Sequence, residues 1–454
     1  MLSKPRLGTL FSYDWDATGF ARAAPHYTLD GAGFDLFSFP SNAHLVGFDL
    51  ERFARAQAER GRRAGWRGVV SHHEQFGALA AALVAERLKL PGARPEAIVA
   101  AQHKLHARRV LQQVAPEANL RFAPLEADYG GPIPLGLAYP TYVKPVKAAF
   151  SVLARCVRSH AELHTHTRFG ARELWVIRRL VEPFERIARA RLPAAGSAHR
   201  LLLEEPLPPH WPQHNLDGYV TDGQVHLLGV VDAVMYPGTQ AFMRWEYPSR
   251  AADAVQQRAL DVARRFLAAI GYSHGFFNLE FMHDPASDRL VVIECNPRLA
   301  SQFADLYLRV LGVDAHAMSI ALATGGDPQA LPCVEPTAAV AASLVYRAFH
   351  SQQVPPMPGR AQQAALAHAC QDALLLCFPK QGHGLERDFK WTGSHRYGIL
   401  HLGAADRTQL RARAEQASAL IGWPAPYGDA SEAVHTSSPP LPQPHFNAPT
   451  IAPT

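Results

Sequence analysis

The stretch FFNLEFMHDPASDRLVVIECNPR, residues 276–298, reads as two β-strands joined by a tight turn at DPASD. Proline, aspartate and serine are typical turn residues, and they separate two runs rich in apolar residues. A hairpin centred on this turn places Glu280 directly opposite Glu294. The same register places Asn278 opposite Asn296. The segment therefore predicts a ladder of acidic and amide side chains across one strand pair.

This ladder is expected on a single face of a sheet, because side chains alternate between the two faces of a strand. Directly opposed residues have Cβ atoms about 4.5–5.5 Å apart, a distance at which two carboxylates repel each other. Met282 and Val292 are expected on the same face, which makes it partly apolar. Two acids held there require a cation, and rigid oxygen ligands suit Mg²⁺ or Mn²⁺ bound together with nucleotide phosphates. The predicted metal ligands are Glu280, Glu294 and Asn296.

Two neighbours of the ladder bear on this hypothesis. Arg298 follows on the same side, where its guanidinium is placed to bind phosphate oxygens in a fork. Cys295 alternates to the opposite face and is expected in the core. The plain alternative for a generic hairpin is a solvated strand face with a shifted register. The asparagine pair, the arginine and the apolar neighbours favour the metal site.

Composition narrows the class of protein. The chain has 454 residues with a formal charge of +5, 48% hydrophobic residues and 19% charged residues, which is typical of a folded protein with two or three subdomains. The positive charge is spread along the chain, so it suits a small anionic substrate and argues against nucleic acid. Five cysteines without CxxC spacing favour a reducing, cytoplasmic location. No signal peptide and no apolar run of about 18 residues is visible, so no membrane partner is expected.

Periodicity along the chain predicts an α/β fold. The first 40 residues have no clear period and are expected to be irregular. Helices are expected at 50–62, 76–88, 95–114 and 253–270. Strands are expected at 66–71, 138–145 and 200–205, and a series of antiparallel strands over 216–247 with a turn at Asp222-Gly223.

Several of these segments resemble the ATP-grasp superfamily. Glu280 followed by ECNPR resembles the closing metal motif of that family, E…ExNPR. LKLPGARPEAIVAAQHKLHARRVL resembles the linker helix, and LAYPTYVKPVKAAFS resembles the strand that ends in a second phosphate-binding lysine. LLLEEPL resembles the hinge between the two lobes, where adenine stacks. The segments occur in the family's order and cover residues 43–425.

The resemblance implies ATP and Mg²⁺ as cofactors and assigns roles to individual residues. The implied nucleotide contacts are Lys104, Lys144, Ser151, Glu204, Glu205 and Leu207. Arg244 is implied to contact the triphosphate, and Arg298 is implied to steady the substrate carboxylate and the transferring phosphoryl group. The implied reaction activates a carboxylate as an acylphosphate and couples it to an amine, so both partners are small molecules. Relatives are often dimers, so the resemblance is compatible with a homodimer and leaves the oligomeric state open.

The same resemblance implies an ATP-grasp fold made of α+β lobes. Its parts are expected at 1–42 (irregular extension), 43–103 (a βαβ domain that precedes the ATP-grasp domain), 104–330 (the ATP-grasp domain), 331–430 (a C-terminal subdomain) and 431–454 (a disordered Pro-rich tail).

Two positions depart from the family pattern. The loop at 147–151 contains no glycine, although glycines let backbone N–H groups approach phosphates. Ser151 still offers a hydroxyl donor there. Gln213 stands where an acidic residue near the ribose is usual. ATP binding is still expected, with a stiffer loop over the phosphates.

Two other functions are also compatible with the sequence. A biotin-carboxylase-like enzyme shares the layout, but the position of its catalytic glutamate is occupied by Gln302, and an amide cannot deprotonate bicarbonate. An inactive ATP-binding protein fits the glycine-poor loop. Four basic residues fit either a substrate pocket or an ordinary surface: Arg347, Arg387, Lys390 and Arg396. Three histidines are expected to be exposed: His160, His164 and His166.

Overall fold

The computed structural model describes residues 4–36, 41–127, 131–148 and 153–428. They form an α/β protein, which confirms the predicted fold class. The Pro-rich tail predicted at 431–454 lies outside the described residues, and so does Ser151. Within those four ranges, no single helix is long and apolar enough to cross a bilayer. Only a pair bent by 113°, 301–311 with 315–324, meets that criterion together.

Thirteen α-helices and fifteen strands are assigned in these ranges. The helices are α1 (Asp16–Ala23), α2 (Leu50–Ala64), α3 (Gly77–Leu88), α4 (Pro95–Gln102), α5 (Lys104–Val114), α6 (His160–Thr167), α7 (Ala171–Arg191), α8 (Asp253–Ala269), α9 (Ala304–Leu311), α10 (Ala315–Thr324), α11 (Arg360–Ala369), α12 (Gly382–Thr392) and α13 (Arg407–Ile421). The strands are β1 (Arg6–Leu10), β2 (Thr28–Ala32), β3 (Trp66–Val70), β4 (Phe122–Pro124), β5 (Thr141–Pro145), β6 (Arg155–Val157), β7 (Leu201–Glu204), β8 (Gln213–Thr221), β9 (Gln224–Met235), β10 (Phe242–Tyr247), β11 (Gly275–Asp284), β12 (Arg289–Asn296), β13 (Val340–Ala348), β14 (Leu374–Cys377) and β15 (His395–Ala404).

The N-terminal residues form a parallel three-stranded sheet in which β1 lies between β2 and β3. The expectation that residues 1–42 are irregular is therefore wrong. β1 is buried over four of its five residues, so it lacks the alternation that reveals a half-buried strand. Gly8 within β1 is required by close packing, because a Cβ there would lie 2.3 Å from the Trp66 ring.

The helix predicted over 95–114 is interrupted at His103, and that part of the prediction is wrong. His103 has φ −86° and ψ 90°, which ends α4. Its ring nitrogen accepts the backbone N–H of His106 at 3.2 Å, so the side chain caps the start of α5. The interruption makes Lys104 the first residue of a helix, where its backbone N–H donates to the carbonyl of Val146 at 3.1 Å.

An eight-stranded antiparallel sheet forms the centre of the molecule, with the strand order β12-β11-β8-β9-β10-β13-β15-β14. The predicted turn at Asp222-Gly223 joins β8 to β9, and both residues have positive φ, 48° and 78°. One face of β11 and β12 packs with α8 in the largest apolar core. C-terminal strands β13, β15 and β14 extend the same sheet and are covered by α11 and α13. The opposite face of β11 and β12 carries the polar ladder.

A smaller antiparallel sheet, with the order β4-β7-β5-β6, lies beside this ladder. It carries Lys144 on β5 and Glu204 at the end of β7. Helix α5 links the two sheets, because its residue Arg108 bonds to both β7 and β12. The two sheets and α5 therefore bring together the segments that the sequence analysis singled out.

Candidate functional site

The predicted register of the hairpin is confirmed. Glu280 on β11 pairs with Glu294 on β12, and Asn278 pairs with Asn296. The Asn296 amide nitrogen lies 3.3 Å from Glu280 Oε1 and 3.4 Å from Glu294 Oε1. From the neighbouring strand β8, the Gln213 amide donates to Glu280 Oε2 at 3.2 Å. Two carboxylates and an amide thus converge on one point of the sheet.

The ladder ends at a β-bulge that the sequence does not reveal. The register shifts just after Glu280, so that β12 has one extra residue and Val291 lies opposite Met282. The expectation that Val292 shares the carboxylate face is wrong, because Val292 is buried in the core on the other side. An inserted residue shifts the phase of side-chain alternation beyond it. Cys295 is buried in that same core, as predicted.

Two lysines approach the carboxylates from neighbouring elements. The Lys104 ammonium lies 3.0 Å from Glu294 Oε2 and donates to the Ala148 carbonyl at 2.9 Å. The Lys144 ammonium lies 2.9 Å from Glu204 Oε2. Burial lowers the pKa of Lys144. Burial acts in the same direction on Lys104, but the adjacent Glu294 carboxylate outweighs it and raises the pKa of Lys104.

Arg108 connects the bulge on β12 to β7, the strand that ends at Glu204. Its Nε donates to Glu204 Oε1 at 2.6 Å, and its two terminal nitrogens donate to the carbonyls of Val292 and Ile293 at 2.7 and 2.8 Å. The side chain is 2% exposed. Glu204 is therefore held between two cations, Arg108 and Lys144, and both compensate the negative charge of its carboxylate.

Removal of this arginine should destabilise the fold strongly. We expect Arg108→Met to lower the free energy of unfolding by about 3–5 kcal/mol, because it leaves a buried carboxylate half-paired and removes the donors to two carbonyls. Urea denaturation followed by circular dichroism measures the change. Arg62→Met, at an exposed position of α2, is the control and should change stability by less than about 0.5 kcal/mol. A loss below about 1 kcal/mol for Arg108→Met would mean that Lys144 alone satisfies Glu204.

The other two predicted hinge residues have different surroundings. Glu205 forms ion pairs with Arg121 at 2.9 Å and with Arg289. Leu207 packs on a small apolar cluster next to the carboxylate ladder, which consists of Leu120, Trp211, Val291 and Met282. An apolar surface of this kind suits a flat aromatic base. The predicted adenine contacts at this hinge involve backbone groups, so the arginine pairs of the Glu205 side chain do not decide between Glu205 and Leu207.

The two carboxylates of the ladder differ in their charge environment. Burial and the neighbouring Glu294 raise the pKa of Glu280 to about 8. Burial also acts to raise the pKa of Glu294, but Lys104 and Lys144 outweigh it and hold that pKa low, at about 2. One acid is thus ionised by lysines while the other favours its proton. A divalent cation between them would ionise both, because its own charge dominates so small a site.

Arg298 lies at the end of the ladder and pairs with an acid that sequence reasoning missed. Its Nη2 is 2.9 Å from Glu74 Oε2, and both side chains are largely buried. Glu74 belongs to the segment between β3 and α3, where it has no motif around it. Its backbone N–H donates to the Tyr13 hydroxyl at 3.3 Å. The N-terminal part of the chain therefore contributes directly to this site.

Lys147 is a second residue whose role the sequence analysis did not consider. Its ammonium is buried, lies 4.9 Å from the Phe184 ring centre and donates to Gln102 Oε1 at 3.0 Å. Burial lowers the pKa of Lys147 to about 7. A signal was present in the sequence, because Lys147 follows Lys144 closely in KPVK. A third lysine thus lies beside Glu74, the acidic partner of Arg298.

Arg244, which is predicted to contact the triphosphate, lies on the face of the sheet opposite the carboxylates. Trp245 on β10 pairs with Ala233 on β9, and Ala233 pairs with Gln213 on β8. These three side chains therefore lie on the face of the sheet that carries the carboxylates. Arg244 alternates to the opposite face, where its Nε is 2.6 Å from Glu246 Oε1 and its guanidinium lies 4.2 Å from the Tyr427 ring centre. A register shift near the start of β10 contributes to this placement, because it changes which residues share a face.

The remaining predicted residues are placed as follows. The Gln302 amide donates to the Ser343 hydroxyl at 2.9 Å. His164 is exposed, whereas the His166 ring lies 2.9 Å from the Leu153 carbonyl oxygen. Lys390 pairs with Glu173. None of these contacts involves a residue of the ladder.

A different group of histidines is buried among the described residues. Asp16 Oδ1 lies 2.9 Å from His72 Nδ1 and 3.2 Å from His316 Nε2. The three residues come from α1, the segment after β3, and α10. Burial lowers the pKa of His72, and the two rings hold the pKa of Asp16 low despite its burial. The cluster joins the N-terminal sheet to α10.

Comparison with known proteins identifies the fold. No protein-family model matches the chain. The uncharacterized protein y4rH of Sinorhizobium fredii is 27% identical over 237 residues. That match covers 51% of this chain and 43% of the relative, so the chain spans less than half of the relative's length.

Several solved structures are similar over almost the whole chain. The L-amino acid ligase from Bacillus licheniformis has a TM-score of 0.65 at 14% identity, with 92% of this chain and 98% of that chain covered. N5-carboxyaminoimidazole ribonucleotide synthetase from Thermus thermophilus gives 0.58 at 18% identity, with 91% and 98% covered. Biotin carboxylase from Campylobacter jejuni gives 0.57 at 15% identity, with 92% and 91% covered. The chain therefore has the ATP-grasp fold, as the sequence predicts.

Proposed function

We propose that this protein is an ATP- and Mg²⁺-dependent ligase that activates a carboxylate as an acylphosphate and couples it to an amine. The observation that carries the proposal is the pairing of Glu280 with Glu294, beside Asn296 and Arg298. The ATP-grasp fold supports it, since L-amino acid ligase and N5-carboxyaminoimidazole ribonucleotide synthetase share that fold. A cytoplasmic location and the domain boundaries remain predictions, and a homodimer remains compatible with the family resemblance.

The donor set of the ladder fits Mg²⁺ well. Two carboxylates and one amide oxygen supply hard ligands, and the remaining positions are left to phosphate oxygens and water. The side chains that would hold the ion are Glu280, Glu294 and Asn296. When bound, Mg²⁺ neutralises charge on the phosphates and orients them for transfer.

The lysines are placed to exchange partners when the nucleotide binds. Without nucleotide, Lys104 neutralises Glu294 at 3.0 Å. A divalent cation held by Glu294 would free the Lys104 ammonium to contact phosphate oxygens. Lys144 is held by Glu204 on the strand that leads into the hinge, which keeps its ammonium directed toward the same space. Leu207 borders the apolar surface proposed for adenine.

The reaction itself needs positioning and electrostatic stabilisation more than a protein nucleophile. A substrate carboxylate oxygen attacks the γ-phosphorus of ATP, the bond to the β,γ-bridging oxygen breaks, and ADP leaves. The amine nitrogen then attacks the acyl carbon, loses a proton and expels phosphate. Arg298 is fixed by Glu74 at 2.9 Å and would stabilise the charge on the transferring phosphoryl group and on the substrate carboxylate.

An ADP-release screen tests this proposal. The protein is incubated with ATP, Mg²⁺ and L-amino acids taken in pairs, each amino acid offering both a carboxylate and an amine. We expect at least one pair to release ADP and phosphate with formation of a ligated product, and omission of either substrate to suppress release. ADP release that needs bicarbonate instead of a second amine would indicate carboxylation. Absence of nucleotide binding would indicate that the site is inactive.

A further inference from the structure

Two arginines of the C-terminal strands face each other close to the proposed reaction site. Arg396 on β15 pairs directly with Arg347 on β13. Like charges placed directly opposite on neighbouring strands are destabilising. Such a pair is therefore expected only where another contribution offsets the repulsion.

Aromatic rings enclose Arg396. Its guanidinium carbon lies 5.3 Å from the Trp15 ring centre and 4.6 Å from the Phe378 ring centre. Rings in such positions stabilise a cation, and they leave the edges of the planar guanidinium open for a fork-shaped contact. Over the described ranges, no carboxylate lies within ion-pair distance of Arg396 or of Arg347.

Other buried arginines of this protein do have acidic partners. Arg108 pairs with Glu204, and Arg298 pairs with Glu74. Arg347 instead donates to neutral oxygens, the Phe242 carbonyl at 3.1 Å and the Ser394 hydroxyl at 3.0 Å. Arg347 thus lacks the kind of acidic partner that Arg108 and Arg298 have.

Two acids lie near the pair without neutralising it. Asp388 is bound by Lys380 at 2.8 Å and lies 3.0 Å from His395 Nδ1. Asp14 is exposed and makes no ion pair with Arg396. Burial lowers the pKa of Arg396 to about 10, and burial together with its neighbour Arg396 does the same for Arg347. The guanidinium groups are therefore under electrostatic strain that an anion would relieve.

Contacts connect this pair to the proposed reaction site. The Arg298 guanidinium bonds to Glu74, whose backbone N–H donates to the Tyr13 hydroxyl. The Tyr13 ring stacks on Trp15 with ring centres 4.6 Å apart, and Trp15 lies under Arg396. Arg298 and Arg396 are thus linked by a chain of contacts through Glu74, Tyr13 and Trp15.

We propose that Arg396, supported by Arg347, binds an anionic oxygen group of the substrate, either a carboxylate or a phosphate, while the reacting group lies beside Arg298. The inference rests on the proposed ligase function, and it specifies the substrate class. One substrate carries an anionic group in addition to the carboxylate or amine that reacts. An amino acid meets this requirement through its α-carboxylate, and a phosphorylated amine meets it through its phosphate.

Calorimetric titration with two small probes tests the proposal. The full chain is loaded with ADP and Mg²⁺, so that the nucleotide site is occupied, and is then titrated with malonate or with inorganic phosphate. We expect saturable binding of at least one probe and a loss of about tenfold or more in affinity for Arg396→Gln, because a charge-assisted contact is removed. Binding of malonate alone points to a carboxylate substrate, and binding of phosphate alone points to a phosphorylated one.

Controls keep this test separate from the proposed function. Arg62→Gln removes an exposed charge on α2 and should bind the probe as the wild type does. Arg396→Lys keeps a cation but lacks the fork, and an intermediate affinity is expected if Arg396→Gln does not fold. No saturable binding by the wild type, or binding that survives both substitutions at Arg396, would overturn the proposal. Failure to bind ADP would count against the ligase function, whereas Arg396-dependent anion binding would still stand.

Discussion

Replacement of Glu294 by glutamine should reduce ADP release by about 10³-fold, with the shape of the site almost unchanged. The substitution keeps the size of the side chain but removes a charged oxygen ligand from the proposed magnesium site. It also leaves Lys104 without the carboxylate that lies 3.0 Å away. Losing one preorganised electrostatic contact typically costs about 10²–10³-fold in rate, and here two are disturbed. Steady-state ADP release with the best substrate pair measures the effect.

The control for this substitution is Glu59→Gln, an exposed glutamate on α2 that makes none of the ladder contacts. Its activity should stay within about twofold of the wild type, since surface substitutions away from special features have small effects. Wild-type-like turnover by Glu294→Gln would show that the carboxylate does not bind the catalytic metal. Lost activity together with lost secondary structure would assign the effect to folding, and circular dichroism distinguishes the two cases.

Replacement of Arg298 by glutamine should lower kcat by about 10²–10³-fold while the affinity for ATP changes little. This expected effect follows from the position of the arginine. Arg298 lies beyond the metal-binding residues of the ladder and is held by Glu74 at 2.9 Å. A group that acts mainly on the transition state lowers kcat and kcat/KM together. Arg298→Lys should recover only part of the rate, since an ammonium cannot make the fork-shaped contact.

Binding and turnover are measured separately for these Arg298 variants. A fluorescent ATP analogue reports the nucleotide affinity, and ADP release reports kcat. An unchanged kcat with a raised KM for ATP would contradict the assignment and place Arg298 among residues that bind the ground state. Glu74→Gln offers a further comparison, because it should weaken the positioning of Arg298 and lower kcat less than the arginine substitution does.

The hairpin was predictable because its turn is local and its residue types are distinctive. DPASD marks the turn, and strand alternation then fixes Glu280 opposite Glu294, which the structure confirms. The bulge after Glu280 was not predictable, since an extra residue in one strand leaves the pattern of residue types unchanged. It moved Val292 into the core. A comparable shift near the start of β10 helps to set the face on which Arg244 lies, which the family resemblance alone did not indicate.

Other parts of the site were hidden because they depend on contacts between distant segments. Glu74 and Tyr13 lie in stretches without a motif, and only the fold brings them to Arg298. For Arg396 the sequence left a substrate pocket and an ordinary surface equally open, and its contact with Trp15 depends on the fold. β1 was missed for a different reason, because a short strand buried on both faces shows no alternation. Local pattern thus predicts elements, and tertiary contact decides which of them form a site.

A crystal structure of the protein with Mn²⁺ and a non-hydrolysable ATP analogue would test the metal assignment most directly. The anomalous signal of Mn²⁺ locates the ion independently of the protein chain. We predict a peak about 2.0–2.3 Å from carboxylate oxygens of both Glu280 and Glu294 and in contact with the analogue's phosphates. A bound analogue whose Mn²⁺ contacts neither carboxylate would contradict the assignment of these two residues as the metal site.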